Sequence, residues 1–261
     1  MQSDTWELKD GRWSPVDCIE RPPARHRGAM VFDEERGVTV LFGGQSQFMW
    51  MLGDTWTFAN GSWQRLRLSW WRRPGPRCGH AMAFDKTTRQ VVLFGGIGTW
   101  KGTLGDTWTF DGSCWTRIRG EHPPARRYAS FAYDPRLQGC ILHGGAVDDR
   151  GAQKFGDTWL FRDGNWEPFP ETFDTDTRDD HGLAFHRSAK TMVMLEGIGA
   201  PRGLLVASPS GWERARCAPL HPQHQCSPLA WDDSLNGLVL HGGERYHAGP
   251  QFDATMVLRI A

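Results

Sequence analysis

One short string recurs along this chain and constrains its fold more than any other feature. Gly-Asp-Thr-Trp stands at 53–56, 105–108 and 156–159, and Asp-Thr-Trp at 4–6 is a shortened copy. A second tryptophan follows each copy after a few residues, and a fifth one occurs without it; these are Trp13, Trp63, Trp115, Trp166 and Trp212. Recurrence of one string at a regular spacing indicates a stack of similar supersecondary units.

A double glycine marks the same point in each unit. Leu-Phe-Gly-Gly stands at 41–44 and 93–96, Leu-His-Gly-Gly at 142–145 and 240–243, and Leu-Glu-Gly at 195–197. The last glycines of these strings are 46 to 52 residues apart. Runs rich in β-branched and aromatic residues, separated by Asn-Gly or Asp-Gly turns, predict four antiparallel strands a to d in each unit.

This pattern resembles the kelch repeat: the glycine pair ends strand b, an aromatic residue lies in strand c and a tryptophan in strand d. The resemblance implies an all-β, kelch-type β-propeller, in which four-stranded sheets are arranged around an axis. We predict a single domain over 1–261 with five blades of four antiparallel strands. Residues 1–16 form a hairpin that closes the ring with the C-terminal strands, and the blades span about 25–66, 77–118, 126–169, 178–214 and 224–260.

Composition limits the classes of partner. Lys plus Arg and Asp plus Glu both number 30, so no basic surplus favours nucleic acid. No apolar run approaches the length of a membrane span, and no signal peptide is visible. We therefore expect a cytoplasmic monomer with free cysteine thiols, with neither nucleic acid nor membrane as a partner.

Loop length predicts the functional face. The a–b and c–d links are short, whereas the connections at 45–52, 67–76, 97–104, 146–155, 170–177 and 244–252 are long and irregular. Long loops on a rigid scaffold usually carry binding groups. Trp50, Trp70, Trp71 and Trp100 lie on these loops outside the repeat positions, so they form either a recognition surface or an internal plug.

The starts of strand a and the loop after the fifth unit supply further candidates. Arginine recurs at the equivalent position of four units, with a histidine in the fifth, which favours a structural role bonding carbonyls or carboxylates between blades; these residues are Arg25, Arg77, Arg126, Arg178 and His224. The residues beside them vary, as expected either for a tailored central site or for solvated loop ends. The predicted ligand-binding residues are His26, Arg27, Trp50, Trp71, Trp100, Arg127, Tyr128, Glu244, Tyr246 and His247.

The fourth unit departs most from the repeat. It has lost Asp-Thr-Trp, and it places Asp179, Asp180 and His181 before its first strand and Glu196 in its glycine pair. Such a group is a candidate acid/base catalyst, although decay of the repeat with solvated acids explains it equally well. No cofactor or metal ligand set is predicted. The minor alternative is a transition metal held by histidines that could converge near the axis, namely His26, His80, His181, His224 and His247.

Two classes of function remain. The first is a small-molecule-binding propeller, extending to an enzyme with an acid/base pocket at the axis end of the long-loop face. Its substrate would be apolar, aromatic or sugar-like. The second is a non-catalytic module that binds a protein through the aromatic loops. A fold alone does not separate these classes.

Overall fold

The computed structural model describes residues 3–100, 102–148, 153–170, 173, 181–195, 203–215, 228–241 and 255–258. The chain divides into two compact units, residues 1–127 with 162–166 and residues 128–161 with 167–261. The described residues form β-strands and one short 3-10 helix. No helix in this part of the chain is long and apolar enough to cross a bilayer.

The first unit contains a hairpin and two sheets. The hairpin consists of β1 (Thr5–Lys9) and β2 (Arg12–Val16). The first sheet has the order β3 (Ala29–Asp33), β4 (Val38–Gln45), β5 (Met51–Ala59) and β6 (Ser62–Leu66). The 3-10 helix Trp70–Arg72 leads into the second sheet, which comprises β7 (Arg77–Cys78), β8 (Ala81–Asp85), β9 (Gln90–Gly98), β10 (Gly102–Phe110) and β11 (Trp115–Ile118).

Three more sheets follow along the chain. The third contains β12 (Ser130–Asp134), β13 (Gly139–His143), β14 (Thr158–Arg162) and β15 (Asn165–Pro168). The fourth contains β16 (Leu183–His186), β17 (Thr191–Leu195), β18 (Leu204–Ser208) and β19 (Gly211–Arg214). The fifth contains β20 (Leu229–Asp232), β21 (Gly237–His241) and β22 (Thr255–Leu258). Strand order follows chain order, as the repeat predicts. The domain limits and the closure by residues 1–16 stay predictions.

In the first two sheets the glycine pairs lie at a bulge rather than at a strand end, whereas in the third sheet β13 ends at His143, just before its glycine pair. Gly43 and Gly44 have φ values of 62° and 103°, and the β4–β5 register shifts beside them. Such angles favour glycine. The ladder then resumes with Gly44 opposite Leu52, and in the second sheet with Gly96 opposite Leu104. The connections at 45–52 and 97–104, predicted as irregular loops, are thus largely paired hairpin ends, because the bulge bends the ladder without breaking it.

A tryptophan–threonine hydrogen bond recurs in the first unit. The indole Nε1 of Trp63 donates to Thr5 Oγ1 over 2.8 Å, and that of Trp115 donates to Thr55 Oγ1 over 3.0 Å. Trp166 donates in the same way to Thr107, over 2.8 Å. Each bond joins the strand-d tryptophan to the Asp-Thr-Trp string about 60 residues earlier, which explains why these two motifs recur together.

The two units have separate hydrophobic cores. In the first unit, Val40, Phe42, Val91, Leu93 and Phe110 are fully buried together with Trp115. In the second unit, one cluster joins Ile141, Leu160, Met192 and Met194. These side chains come from alternate strand positions, so one face of each strand supplies the core. The cysteines within the described residues are free thiols.

Candidate binding surface

An arginine clasp holds the long-loop end of each of the first two sheets. Arg77 donates to both carboxylate oxygens of Asp106, over 2.7 and 2.9 Å, and to the carbonyl of Gly95 over 3.0 Å. Arg25 repeats this with Asp54 and Gly43. The recurring arginines Arg25 and Arg77 therefore have a structural role, but they act within one sheet rather than between blades.

The clasp also sets the charge state of its carboxylates. Burial would raise the pKa of Asp106, but hydrogen bonds and charge from Arg77 and a hydrogen bond from Trp108 outweigh it, so the pKa lies below its ordinary value. The same balance holds for Asp54. Both carboxylates are thus ionised and fully engaged.

The unexplained tryptophans are exposed, not an internal plug. Trp50 lies beside the tip of the β4–β5 hairpin, and Trp100 lies at the tip of the β9–β10 hairpin. Trp70 and Trp71 lie in the 3-10 helix, edge to face with ring centroids 5.5 Å apart. Together with Phe48 and Met49 they are between 65% and 94% exposed. We call these six side chains, Phe48, Met49, Trp50, Trp70, Trp71 and Trp100, the aromatic face.

Backbone contacts place the segments of the aromatic face at one end of the first unit. The guanidinium of Arg73 donates to the carbonyl of Gly53, at the base of the β4–β5 hairpin. Pro76 packs against the same glycine, where an added Cβ would lie 3.0 Å from its Cα. Arg77, next to Pro76, pairs with Gly98 of the β9–β10 hairpin, and Pro76 lines the same cleft as Trp100. The 3-10 helix segment is therefore tied to both hairpins.

A cleft of about 580 Å³ lies beside Trp100. Trp108, Arg117 and His122 line it, together with the clasp residues Arg77 and Asp106. Burial and the charge of Arg117 lower the pKa of His122. Thr107 Oγ1 lies within hydrogen-bonding distance of His122 Nδ1, 3.0 Å away, and accepts a hydrogen bond from Trp166 Nε1.

The predicted ligand-binding residues beside the strand-a starts form part of the frame. His26 bonds Gln45 through backbone groups and through its ring, with Nε2 3.1 Å from Gln45 Oε1. The Arg27 carbonyl accepts from Gly79 N over 2.8 Å. Arg127 is buried and Tyr128 is half-buried. Arg27 and Tyr128 share the φ of about +57° that Gly79 adopts at the equivalent position, with values of 55°, 57° and 60°. Their role in ligand binding stays a prediction.

Most of the predicted catalytic group lies outside the described residues. This holds for Asp179, Asp180 and Glu196, and for the predicted ligand-binding residues Glu244, Tyr246 and His247. His181 is described: it is buried, and its ring meets that of His143 edge to face with centroids 5.2 Å apart. Within the described ranges, no three His, Cys, Asp or Glu side chains are grouped so as to hold a metal ion.

His80, which the sequence offered as one of the histidines of the alternative metal site, is a buried imidazole. It stands where the neighbouring repeats have Gly28 and Ala129, and its ring meets Phe42 edge to face at 5.5 Å. Neither ring nitrogen has a hydrogen-bond partner within the described part of the chain. Burial, and next the charge of Arg77, lower its pKa from 6.5 to about 3, against weaker opposing effects of Phe42 and Asp106. One feature of the sequence could have pointed to His80: it is a titratable residue at a position where the neighbouring repeats have only glycine or alanine.

We expect His80 to make the protein less stable as the pH falls. Between about pH 6.5 and pH 3 the unfolded chain binds a proton at this residue and the folded chain does not. The free energy of unfolding then drops by about 1.4 kcal/mol per pH unit from this group alone. Urea titrations at pH 7, 6 and 5 measure the free energy of unfolding of the wild type and of His80→Ala, which has the residue that stands at position 129. We expect this free energy to depend less steeply on pH in His80→Ala, by an amount that corresponds to up to one bound proton. An unchanged slope would contradict the assignment.

Fold and surface together define the class of protein: a kelch-type β-propeller of five blades, which is a binding module. The family model described as the KLHDC2/KLHL20/DRC7 Kelch-repeats domain matches residues 2–195, and the chain belongs to this kelch-repeat family. The sequence has no significant match among curated proteins. The predicted family and fold class are thereby confirmed, whereas the cytoplasmic location and the monomeric state stay predictions.

Proposed function

We propose that this chain is a protein-interaction module whose aromatic face binds an acidic, partly apolar segment of a partner protein. The main support for this proposal is that six large apolar side chains are exposed at one end of the first unit. Soluble proteins rarely expose so much apolar surface in one place unless it is an interaction site. Tryptophan is also the residue type most enriched among the residues that dominate binding energy.

The charge of the surrounding chain favours an acidic partner. Between Asp54 and Asp85 the sequence has no carboxylate, but it has five arginines: Arg65, Arg67, Arg72, Arg73 and Arg77. Arg67 and Arg72, which flank Trp70 and Trp71, are exposed. Complementary charge of this kind speeds association and selects partners more than it adds affinity. We therefore expect binding to weaken as salt concentration rises.

The cleft beside Trp100 supports binding more than catalysis. Asp106 is the carboxylate that lines it, and both its oxygens already accept hydrogen bonds from Arg77 and Trp108. These contacts also lower the pKa of Asp106, and a carboxylate with a lowered pKa is a weaker general base than an ordinary one. We infer that the cleft receives a side chain of the partner beside the aromatic face. The alternative enzymatic hypothesis depends on four residues and stays a prediction; these are Asp179, Asp180, His181 and Glu196.

Peptide selection would test this proposal. A displayed library of random peptides is selected on the wild-type chain, with counter-selection on the triple variant Trp50→Ala, Trp71→Ala, Trp100→Ala. We expect enriched peptides to combine Asp or Glu with apolar residues, and a synthetic representative to lose affinity about tenfold or more with Trp71→Ala or Trp100→Ala. Trp6→Ala is the matched control, since Trp6 is an exposed tryptophan of the N-terminal hairpin.

Two outcomes would contradict the proposal. The selected peptides could bind the triple variant as tightly as the wild type, which would place recognition elsewhere. Alternatively, the chain could bind single-stranded oligonucleotides through the same tryptophans while rejecting acidic peptides. Stacking of bases on aromatic side chains beside arginines would then be the function of this surface.

A further inference from the structure

A second cavity, of about 280 Å³, lies in the second unit between the third and fourth sheets. It extends from Thr158 to the turns after β12 and β18. Its walls are mostly apolar side chains, chiefly Ile141, Phe169, Phe173, Met192, Ala207 and Trp212. It shares no residue with the aromatic face or with the cleft beside Trp100.

One residue of the fourth repeat explains why this space is open. In the first sheet Phe58 pairs across the strands with Trp63, and in the second Phe110 pairs with Trp115. Each phenyl ring packs on its indole with the centroids 5.0 Å apart. In the fourth sheet Ala207 occupies this position opposite Trp212. The phenyl ring that fills the equivalent space in the first two sheets is therefore absent from the fourth.

Within the described strands, Trp212 also lacks the tryptophan–threonine hydrogen bond that Trp63, Trp115 and Trp166 make. Thr158 corresponds to Thr55 and Thr107, but its hydroxyl donates to the carbonyl of Phe173 over 2.9 Å and lies 2.9 Å from His143 Nδ1. The indole nitrogen of Trp212 has no hydrogen-bond partner among the described residues. The ring of Trp212 accordingly lies 6.1 Å from that of His143, whereas the equivalent distance from Trp115 to Phe42 is 5.3 Å.

The charged groups at the cavity rim neutralise each other. Asp134 accepts hydrogen bonds from Nε and Nη2 of Arg136, the shortest being 2.6 Å, and the same guanidinium lies 5.6 Å from the ring of Phe185. A charged ligand would have to give up its hydration to enter an apolar space where Asp134 and Arg136 already pair with each other. The chemistry of the walls therefore favours a neutral ligand.

We propose that this cavity binds a neutral, planar aromatic molecule of about two fused rings. Its volume is about twice that of an engineered apolar cavity of about 150 Å³ that binds benzene, and near the lower limit of natural ligand pockets. An aromatic ring of the ligand takes the place of the missing phenyl group and packs on Trp212, with Phe169 and Phe173 beside it. Aromatic pairs in such offset or edge-on arrangements are favourable beyond the area they bury.

Fluorine NMR with a fluorinated indole tests this site directly. We expect the wild-type chain to bind the probe with a dissociation constant of about 1 mM or tighter. Ala207→Phe, which restores the residue of the other repeats, should weaken binding about tenfold or more and raise the melting temperature. Ala207→Leu should weaken binding to an intermediate degree, and it provides the comparison if Ala207→Phe does not fold. Ala59→Phe, on the first sheet, is the control and should bind as the wild type does.

Two further comparisons separate this site from others. The triple variant of the aromatic face should keep its affinity for the probe, because it leaves the second unit unchanged. A fluorinated indole carrying an acetate group should bind about tenfold more weakly, since no unpaired cation lines the described walls. Equal binding by Ala207→Phe and the wild type, or no binding by the wild type, would overturn the proposal.

Discussion

Arg77→Ala is expected to lower the free energy of unfolding by about 3–5 kcal/mol, because it leaves the partly buried carboxylate of Asp106 without its counter-ion. The guanidinium is almost wholly buried and makes three hydrogen bonds to Asp106 and Gly95. Urea titration at pH 7 measures the change. Arg77→Lys should lose part of this stability, because a lysine keeps the charge but not the two-pronged geometry.

Two variants make the result for Arg77 specific. Lys86 forms an exposed ion pair with Glu34 over 2.7 Å, and Lys86→Ala should cost no more than about 1 kcal/mol. The double variant Arg77→Ala, Asp106→Ala should lose less stability than the two single variants together, because it removes the uncompensated charge as well. A loss below about 1 kcal/mol for Arg77→Ala would show that the clasp does not hold the sheet.

Phe110→Ala should also destabilise the protein, by about 3–5 kcal/mol, because it removes a fully buried ring and leaves a cavity. Phe110 packs on Trp115 with centroids 5.0 Å apart, inside the core that contains Val40 and Phe42. The variant places an alanine opposite Trp115 in the second sheet, as Ala207 lies opposite Trp212 in the fourth. The midpoint of urea unfolding at constant slope is the measurement.

The control for Phe110 is an exposed phenylalanine on the neighbouring sheet. Phe32 is about half exposed in β3, so Phe32→Ala should change the free energy of unfolding by less than about 1 kcal/mol. If Phe110→Ala were as mild as Phe32→Ala, the core would be able to collapse around the missing ring. The cavity beside Ala207 would then need another explanation than the lost phenyl group.

Much of the fold could be predicted from the repeat. The described strands of each sheet occur in the predicted order, and Arg25 and Arg77 have a structural role, as their recurrence indicated. The exposure of Trp50, Trp71 and Trp100 agrees with their position outside the repeat. These features depend on local strand periodicity and on motifs that recur, so a single chain displays them several times.

Other features could not be predicted because they depend on cross-strand neighbours. The length of the β4–β5 and β9–β10 hairpins follows from the bulge at the glycine pairs, which the sequence pattern does not distinguish from a strand end. The engagement of Asp106, which leaves it no free oxygen, follows from the positions of Arg77 and Trp108. An isolated residue such as His80 gives no sign in the sequence of how deeply it is buried.

The recurrence of Gly-Asp-Thr-Trp, the glycine pair and the second tryptophan was enough to define antiparallel sheets of one kind. It was enough because backbone pairing and the alternation of side chains are local properties of each strand. The sequence does not show that Ala207 leaves a cavity beside Trp212 and Ile141. The tertiary structure decides this, because a cavity is enclosed by side chains from different strands. The same holds for His80 and Asp106: the charge of a side chain depends on which neighbours exclude water from it and which bond it.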